Sequence, residues 1–429
     1  MTSNFCRLGV AGLGTVGAGL LNFIAERPDF APAGGRVVVT GVSARSRSRP
    51  RPVDISNLTW FDDPVALATS PETDVYVELI GGADGTAKAS VEAALKAGKP
   101  VVTANKALIA EHGGDLARLA EANGVPLLFE AAVMGGVPAV KFMREAMVGD
   151  DVQSLAGILN GTCNYILSEM ETTGRAFADV LADAQRLGYA EADPTMDVGG
   201  YDAAHKVTIL AALAFGYAPN FSAAQVEGID QLDLLDIKLA HDLGYRVKLI
   251  ASAKLGADGV RVQVHPSLVP LDHPLAQAGG ALNALFVESK RIGRIFLQGP
   301  GAGAGPTAAA VAADIADVMT GMVRPVFQKP AASLQQYGSV DPSDTLVRAY
   351  LRFMVKDEPG VIAAVSESLA EAGVSIESFL QKPAGQTDGV PIVMTTHSVA
   401  ESVLAAAIDQ IAGLATVLDR PRLLRIAQI

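Results

Sequence analysis

Cysteine, histidine, basic charge and long apolar runs are all scarce in this chain of 429 residues. Its two cysteines, Cys6 and Cys163, cannot build a disulfide framework or, unaided, a four-ligand zinc site. A reducing compartment, the cytoplasm, is therefore expected. The six histidines form no H-x-x-x-H pair and no other metal signature. Lysine and arginine total 34 against 46 acids, and the net charge of -12 argues against a general nucleic-acid binder, because neutralising phosphates needs a basic face. The longest apolar stretches, such as "VTILAALAFG", stop well short of the roughly 20 residues a membrane span needs. The opening "MTSNFCRLGVAG" runs straight into a strand, without the basic region, apolar core and cleavage site of a secretion signal. No nucleic-acid or membrane partner is expected.

What remains is an α/β composition, 49% apolar, long enough for two or three domains. From residue 5 to about 130, β-branched runs alternate with Ala-rich stretches of helical period, which predicts βαβ units and a doubly wound, mostly parallel sheet. Beyond residue 150, strand-like and helical runs mix, as in an α+β domain, and its sheet is a candidate subunit interface. Residues 299–319, "GPGAGAGPTAAAVAADIADVM", read as a glycine loop and a helix that packs back on the first domain. Residues 326–345, rich in Pro, Ser and Gln, read as a linker, and 346–429 follow a βαββαβ order.

Gly12, Gly14 and Gly17 stand at G-x-G-x-x-G spacing between the first strand and helix, where a dinucleotide pyrophosphate meets backbone and helix dipole. The acidic residue that would bind the ribose 2′-hydroxyl of NAD is missing; the second strand runs into "SARSRSRPRP" instead. A guanidinium there, Arg45 first among Arg45, Arg47, Arg49 and Arg51, suits the 2′-phosphate of NADP, with a solvated basic loop as the plainer alternative. Thr103, Asn105 and Lys106 follow a later strand, at the end that faces the ligand crevice. Glu191, Asp193, Asp197, Asp202 and Lys206 gather before and within one helix. Asp202 and Lys206, four apart, share a face with the apolar Ile209 and Leu210; an ordinary helix ion pair, worth about 0.2–0.5 kcal/mol, is the plain reading of that spacing. Cys163 begins a predicted helix, where packing competes with a thiolate nucleophile.

"GLGTVG", "ELIGG", "VVTANKALIA", "FEAAVMGGVP", "ILNGTCNYIL", "GYAEADPTMDVGGYDAAHK" and "GPGAGAGPTA", in this order, resemble the homoserine dehydrogenase family over about residues 5–325. The stretch opened by "DEPGVIAAVSESLAEAGVSI" resembles an ACT domain, a small amino-acid-binding regulatory module. The resemblance implies an α/β protein with a Rossmann-type dinucleotide-binding domain over 1–135, closed by a helix at about 305–325. It further implies a catalytic and dimerisation domain over 136–325, the linker, and the ACT domain over 346–429. It implies reversible hydride transfer between NADP or NAD and L-aspartate 4-semialdehyde, giving L-homoserine, on the way to threonine, methionine and isoleucine.

Position by position, the resemblance makes Lys206 the proton donor, with Lys106 and Asp202 completing the catalytic set. Glu191, Asp202, Gly161 and Thr162 become substrate residues. Gly12, Gly14, Thr15, Val16, Gly17, Arg45, Thr103, Lys106, Gly188 and Gly303 become cofactor residues, and Glu130, Val133, Gly135 and Val137 wrap a sodium ion. It places Cys163 among packing residues. Chemistry agrees: reduction builds negative charge on the aldehyde oxygen, which a lysine ammonium stabilises and protonates, while the substrate ammonium needs a carboxylate such as Glu191. A homodimer or homotetramer, inhibited by threonine through the C-terminal module, is expected. The alternative is a non-catalytic dinucleotide or amino-acid sensor, which would have no need to keep Lys106, Glu191, Asp202 and Lys206 together.

Overall fold

Residues 5–31, 34–256, 259–341, 343, 345–381 and 389–429 are described by the structure, a computed structural model. Runs such as "RVVVTGV" are rich in β-branched residues and buried on both faces, the pattern of a covered parallel sheet. Six parallel strands result: β1 (Phe5–Ala11), β2 (Arg36–Ser43), β3 (Thr59–Phe61), β4 (Val75–Glu78), β5 (Val101–Thr103) and β6 (Leu127–Leu128). Their order is β3-β2-β1-β4-β5-β6, so the winding reverses between β1 and β4 and opens a crevice at the strands' carboxyl ends. The helix Ala304–Met319 returns from the second half of the chain to this domain. Its Ala308, Val311 and Ile315 share one core with Leu20, Leu21 and Ile24 of the helix Thr15–Glu26.

The second sheet is mixed. It contains β7 (Val152–Ile158), β8 (Gln225–Val226), β9 (Tyr245–Gly256), β10 (Gly259–Pro270), β11 (Leu282–Ser289) and β12 (Arg294–Pro300). The C-terminal unit supplies β13 (Leu346–Val355), β14 (Ile376–Gln381), β15 (Val390–Thr396), β16 (Val399–Ala400) and β17 (Arg422–Ile426), with helices Val361–Glu371 and Glu401–Ala412. The path is β12-β11-β7-β9-β10-β17-β13-β15-β14, with β8 on β10 and β16 on β13. The regulatory-type unit is thus continuous with the second domain, through parallel pairing of Ser267 with Arg425 and Leu268 with Ile426.

Two features depart from a bead on a tether. The described residues of 326–345 carry little regular structure beyond the turn Ala331–Ser333, as their composition predicts, but they are strapped down. Phe327 is fully buried against Phe129, Glu121 accepts from Val326 N and Ala331 N, and Asn220 Nδ2 donates to the Tyr337 carbonyl. In addition, the buried Asp236 of the helix Leu234–Asp242 accepts from Arg352 Nε at 2.6 Å, Arg352 Nη2 at 3.1 Å and Tyr350 OH at 2.9 Å, both residues from β13. Among the described residues no helix is long and apolar enough to cross a membrane.

A buried ion pair that loses one partner leaves the other charge uncompensated. Asp236→Ala should therefore lower stability by about 3–5 kcal/mol in chemical denaturation. A loss below about 1 kcal/mol, the range of exposed pairs, would show that the Arg352 contact does not hold the C-terminal unit in place.

Candidate active site

The helix Tyr201–Phe215 is buried except at Tyr201, Lys206 and Ala214, so it runs through the core rather than along the surface. Asp202 lies in its first turn and is only 5% exposed. A carboxylate there must be compensated. Lys206 Nζ donates to its Oδ2 at 2.7 Å, Asn160 Nδ2 donates to the same oxygen at 2.8 Å, and Lys106 Nζ lies 2.9 Å from Oδ1. Burial works to raise the Asp202 pKa, but the two lysines and these hydrogen bonds outweigh it and hold the carboxyl well below the usual range. Asp202 in turn pushes the Lys106 pKa up against desolvation, with Asp197 and Glu191 adding to the effect. The Asp202–Lys206 spacing is therefore no ordinary surface pair: a second lysine from another domain completes it.

Lys206 makes one more bond, to the Leu159 carbonyl at 2.8 Å. Two of its three ammonium protons are committed to these acceptors, and the third meets no acceptor among the described residues.

Lys106 is aimed by the ends of β4 and β5. Fully buried Glu78 accepts from Ile80 N, Gly81 N and the Thr103 hydroxyl at 2.7, 3.1 and 2.5 Å, and burial raises its pKa. Thr103 Oγ1 accepts from Asn105 N, and Asn105 caps the helix Lys106–Ala122 through Leu108 N while its amide donates to the Gly82 carbonyl. The Thr103 hydroxyl is thereby committed inward.

On the other side, Asn160 caps the helix Gly161–Thr173, where Gly161 and Thr162 open the first turn. The Thr162 hydroxyl donates to the Tyr189 carbonyl, next to Gly188. Glu191 is exposed. Cys163 is buried, its thiol reaches the Asp197 carbonyl at 3.1 Å, and burial pushes its pKa well up, which suits packing and not nucleophilic attack.

The glycine turn has the geometry its spacing predicts. A Cβ on Gly12, at φ +99°, would lie 2.2 Å from the Leu79 carbonyl oxygen, and one on Gly17 would lie 2.0 Å from that of Gly12. Both approaches admit only hydrogen. Gly14, just before Thr15 and Val16, has nothing within 4 Å of that position, so the backbone there is open to a ligand. Gly303 opens the second helix that faces this domain. Arg45 is exposed two residues beyond β2, whereas Arg51 folds back onto the carbonyls of Arg47 and Arg49 and lies over Trp60.

Glu130 is buried and accepts from Val140 N and Lys141 N; among the described residues it makes no ion pair. Burial, then nearby Asp314, push its pKa up to about 7. Asp314 Oδ1 is itself buried without a hydrogen-bond donor, its nearest cation being Lys141 Nζ at 3.5 Å. Met134 takes φ +57°, and Gly136 N donates to the Pro300 carbonyl, joining residues 133–137 to the glycine loop before Gly303.

The structure thus brings Lys106, Asp202 and Lys206 together, with Glu191 near Lys106. Asn160, Glu78 and the Leu159 carbonyl were missed from sequence. The N-cap position of Asn160 was a readable signal; nothing local marked Glu78 as turned inward.

Three family models match the chain: the NAD-binding domain of homoserine dehydrogenase at residues 12–130, homoserine dehydrogenase at 138–316, and the ACT domain at 349–416. The homoserine dehydrogenase of Pseudomonas aeruginosa is 43% identical over 416 residues, 95% of each chain, and that of Neisseria gonorrhoeae 42% over 415, also 95% of each. The crystal structure of a homoserine dehydrogenase from Thiobacillus denitrificans superposes with a TM-score of 0.89 at 39% identity, covering 99% of this chain and 98% of that one. A hyperthermophilic archaeal homoserine dehydrogenase mutant in complex with NADPH has a TM-score of 0.64 at 26% identity, covering 74% and 99%.

Asp202 is the main reason the Lys106 pKa is raised. Asp202→Asn should lower it, leave more free amine at mildly alkaline pH, and increase acylation of Lys106 by an amine-reactive reagent, read by peptide mapping. Unchanged labelling would mean that the Lys106–Asp202 contact does not form in solution.

Proposed function

Since the chain belongs to the homoserine dehydrogenase family, we propose that Lys206 carries the proton of its reaction while Lys106, Asp202 and Glu191 order the substrate. That reaction is the reversible, nicotinamide-dinucleotide-dependent interconversion of L-homoserine and L-aspartate 4-semialdehyde, in the biosynthesis of threonine, methionine and isoleucine. The observation that carries the proposal is the uncommitted third proton of Lys206, whose other two go to Asp202 and the Leu159 carbonyl.

A dinucleotide held at the glycine turn would supply or accept the hydride. In aldehyde reduction negative charge grows on the carbonyl oxygen, where the Lys206 ammonium stabilises it and then delivers its proton. In the reverse direction the same nitrogen takes the hydroxyl proton. Asp202 keeps Lys106 and Lys206, two like charges, in one site. Glu191 receives the substrate ammonium, and the first-turn N–H groups of Gly161 and Thr162 suit its carboxylate.

Gly12, Gly14, Thr15, Val16 and Gly17 would cradle the pyrophosphate, and Lys106, Gly188 and Gly303 would line the rest of the cofactor site, whereas Thr103, fully buried with its hydroxyl on Glu78, does not reach it and serves by holding the turn before Lys106. NADP is favoured over NAD: Arg45 is exposed at the end of β2, and the archaeal relative was solved with NADPH. Sodium fits at Glu130 with carbonyls of Val133, Gly135 and Val137, because Glu130 is a buried carboxylate that makes no ion pair among the described residues. Threonine is the effector proposed for the ACT unit, where Gly360 opens the helix Val361–Glu371 and leaves its first-turn amides available. The division proposed is 1–135, 136–325 and 346–429 with 326–345 as connector, and the matches at 12–130, 138–316 and 349–416 support it. A homodimer or homotetramer completes the reading, the outer face of the mixed sheet being the surface offered, and the cytoplasm is its place.

Initial rates with L-homoserine, using NADP and NAD in parallel, test the catalytic assignment. Lys206→Ala should lose about 10²–10⁴-fold in turnover, the usual worth of a positioned acid or base. Full turnover in that variant would falsify the assignment. Arg45→Ala should cut the preference for NADP by roughly tenfold or more, as expected for a lost hydrogen bond to a charged group; an unchanged ratio returns Arg45 to the solvated loop.

Ligands that bind only the folded state raise its melting temperature. Sodium in place of a bulky organic cation should raise the Tm of the unmodified protein but not of Glu130→Gln, and saturating threonine should raise it in both. Equal sodium responses exclude Glu130 as ligand, and no response to threonine excludes it as effector.

A further inference from the structure

Asn160 belongs to no element, standing between β7 and the helix Gly161–Thr173, yet it is only 4% exposed and every polar atom of its side chain is used. Its Oδ1 accepts from Cys163 N at 2.7 Å. A main-chain N–H can only donate, so this contact fixes which end of the amide is oxygen and turns the NH₂ group the other way. The two amide protons then go to two different carboxylates, Asp197 Oδ1 at 2.7 Å and Asp202 Oδ2 at 2.8 Å.

Those two carboxylates repel. Burial and Asp202 together raise the Asp197 pKa, so a pair of acids is being held close in a poorly solvated place. The lysines neutralise Asp202, but both are long and flexible, whereas the short Asn160 side chain is pinned at its other end to a helix start through Cys163 N.

We propose that Asn160 is a positioning residue for the proton-transfer step: its amide clamps Asp197 and Asp202 side by side, and so fixes Asp202 at the angle from which it holds Lys106 with one oxygen and Lys206 with the other. The inference rests on the catalytic reading of Lys206 given above. Without the clamp Asp202 follows whichever lysine pulls harder, and the Lys206 ammonium loses the second point that defines its direction. Misplacing a catalytic group by an ångström costs roughly a hundredfold in rate.

A capping role and a positioning role separate in Asn160→Ser. Serine is an equally good N-cap, so the helix start is kept, but its hydroxyl is too short to bridge two carboxylates. The expected result is a Tm within a few degrees of the unmodified enzyme, a kcat lower by roughly a hundredfold, and a KM for the dinucleotide that is unchanged. A Ser variant with kcat within twofold, or one that loses Tm while keeping kcat, overturns the proposal and leaves Asn160 as a cap. Should the Ser variant not fold, Asn160→Asp decides on the same two readings. It keeps shape and cap but offers the two acids a third carboxylate, so its kcat should fall at least as far, and an unchanged kcat overturns the proposal. Lys206→Ala in the same assay separates the two claims. If that variant is inactive while the Asn160 variants are not, only the clamp fails; if it is active, the catalytic reading on which the clamp rests fails first.

Discussion

One carboxylate, that of Asp202, joins the two halves of the proposed catalytic unit. Lys106 reaches it from the start of the helix between β5 and β6 of the parallel sheet, and Lys206 from the buried helix of the mixed domain. Two ammonium groups brought this close would push the domains apart; a single acid with one oxygen for each makes their approach favourable. Because the acid is buried, it must keep at least one of the two lysines; losing both would leave an uncompensated charge inside the protein, a loss of several kcal/mol. The domain junction and the proposed chemistry therefore share the same ion triad.

Much of the remaining architecture keeps that junction in register. The helix Ala304–Met319 carries the chain back onto the parallel sheet and shares its core with the Thr15–Glu26 helix. Glu130, between the two domains in sequence, accepts from the start of the next helix and donates its own N–H to Asp314 of the returning one. Glu78 pins β4 and the Thr103 turn, and so the direction of Lys106. Each is a buried carboxylate answered mainly by main-chain N–H groups or a hydroxyl. Such bonds fix backbone position, whereas the lysines of the site stay partly exposed, Lys106 to 40% and Lys206 to 12% of the side chain, where a substrate can meet them.

The parts of this arrangement visible in the sequence are those written in local periodicity and short motifs. β-branched runs alternating with Ala-rich ones gave the parallel sheet, and the glycine spacing at 12, 14 and 17 gave the turn, since each depends on neighbours within a few residues. The spacing of Asp202 and Lys206 showed that they share a helix face, but not that the helix is buried on every side, and hence not that the pair needs Lys106 as a third member. Distant partners left no mark. Arg352 meets Asp236 across 116 positions, and Phe327, in a stretch read from its Pro, Ser and Gln as a linker, packs on Phe129. Composition reports what a segment can do alone, while these contacts exist only after the domains have formed.

The same logic bears on how the C-terminal unit can influence the site. β17 pairs with β10 at only two positions, and its Arg425 meets Glu227 at 2.9 Å. Glu227 N is bonded to the Val264 carbonyl of β10, and two residues on, Ile229 N is bonded to the Val198 carbonyl. Between them Gly228 is packed so closely that a Cβ would lie 2.3 Å from that same carbonyl oxygen. Val198 adjoins Asp197 and, through Gly199 and Gly200, the helix that bears Asp202. A short contact chain thus runs from the edge of the regulatory unit to the paired acids without passing through residues 326–345. Main-chain hydrogen bonds and close packing make it stiff, and its weakest member is the two-residue strand pairing at its outer end.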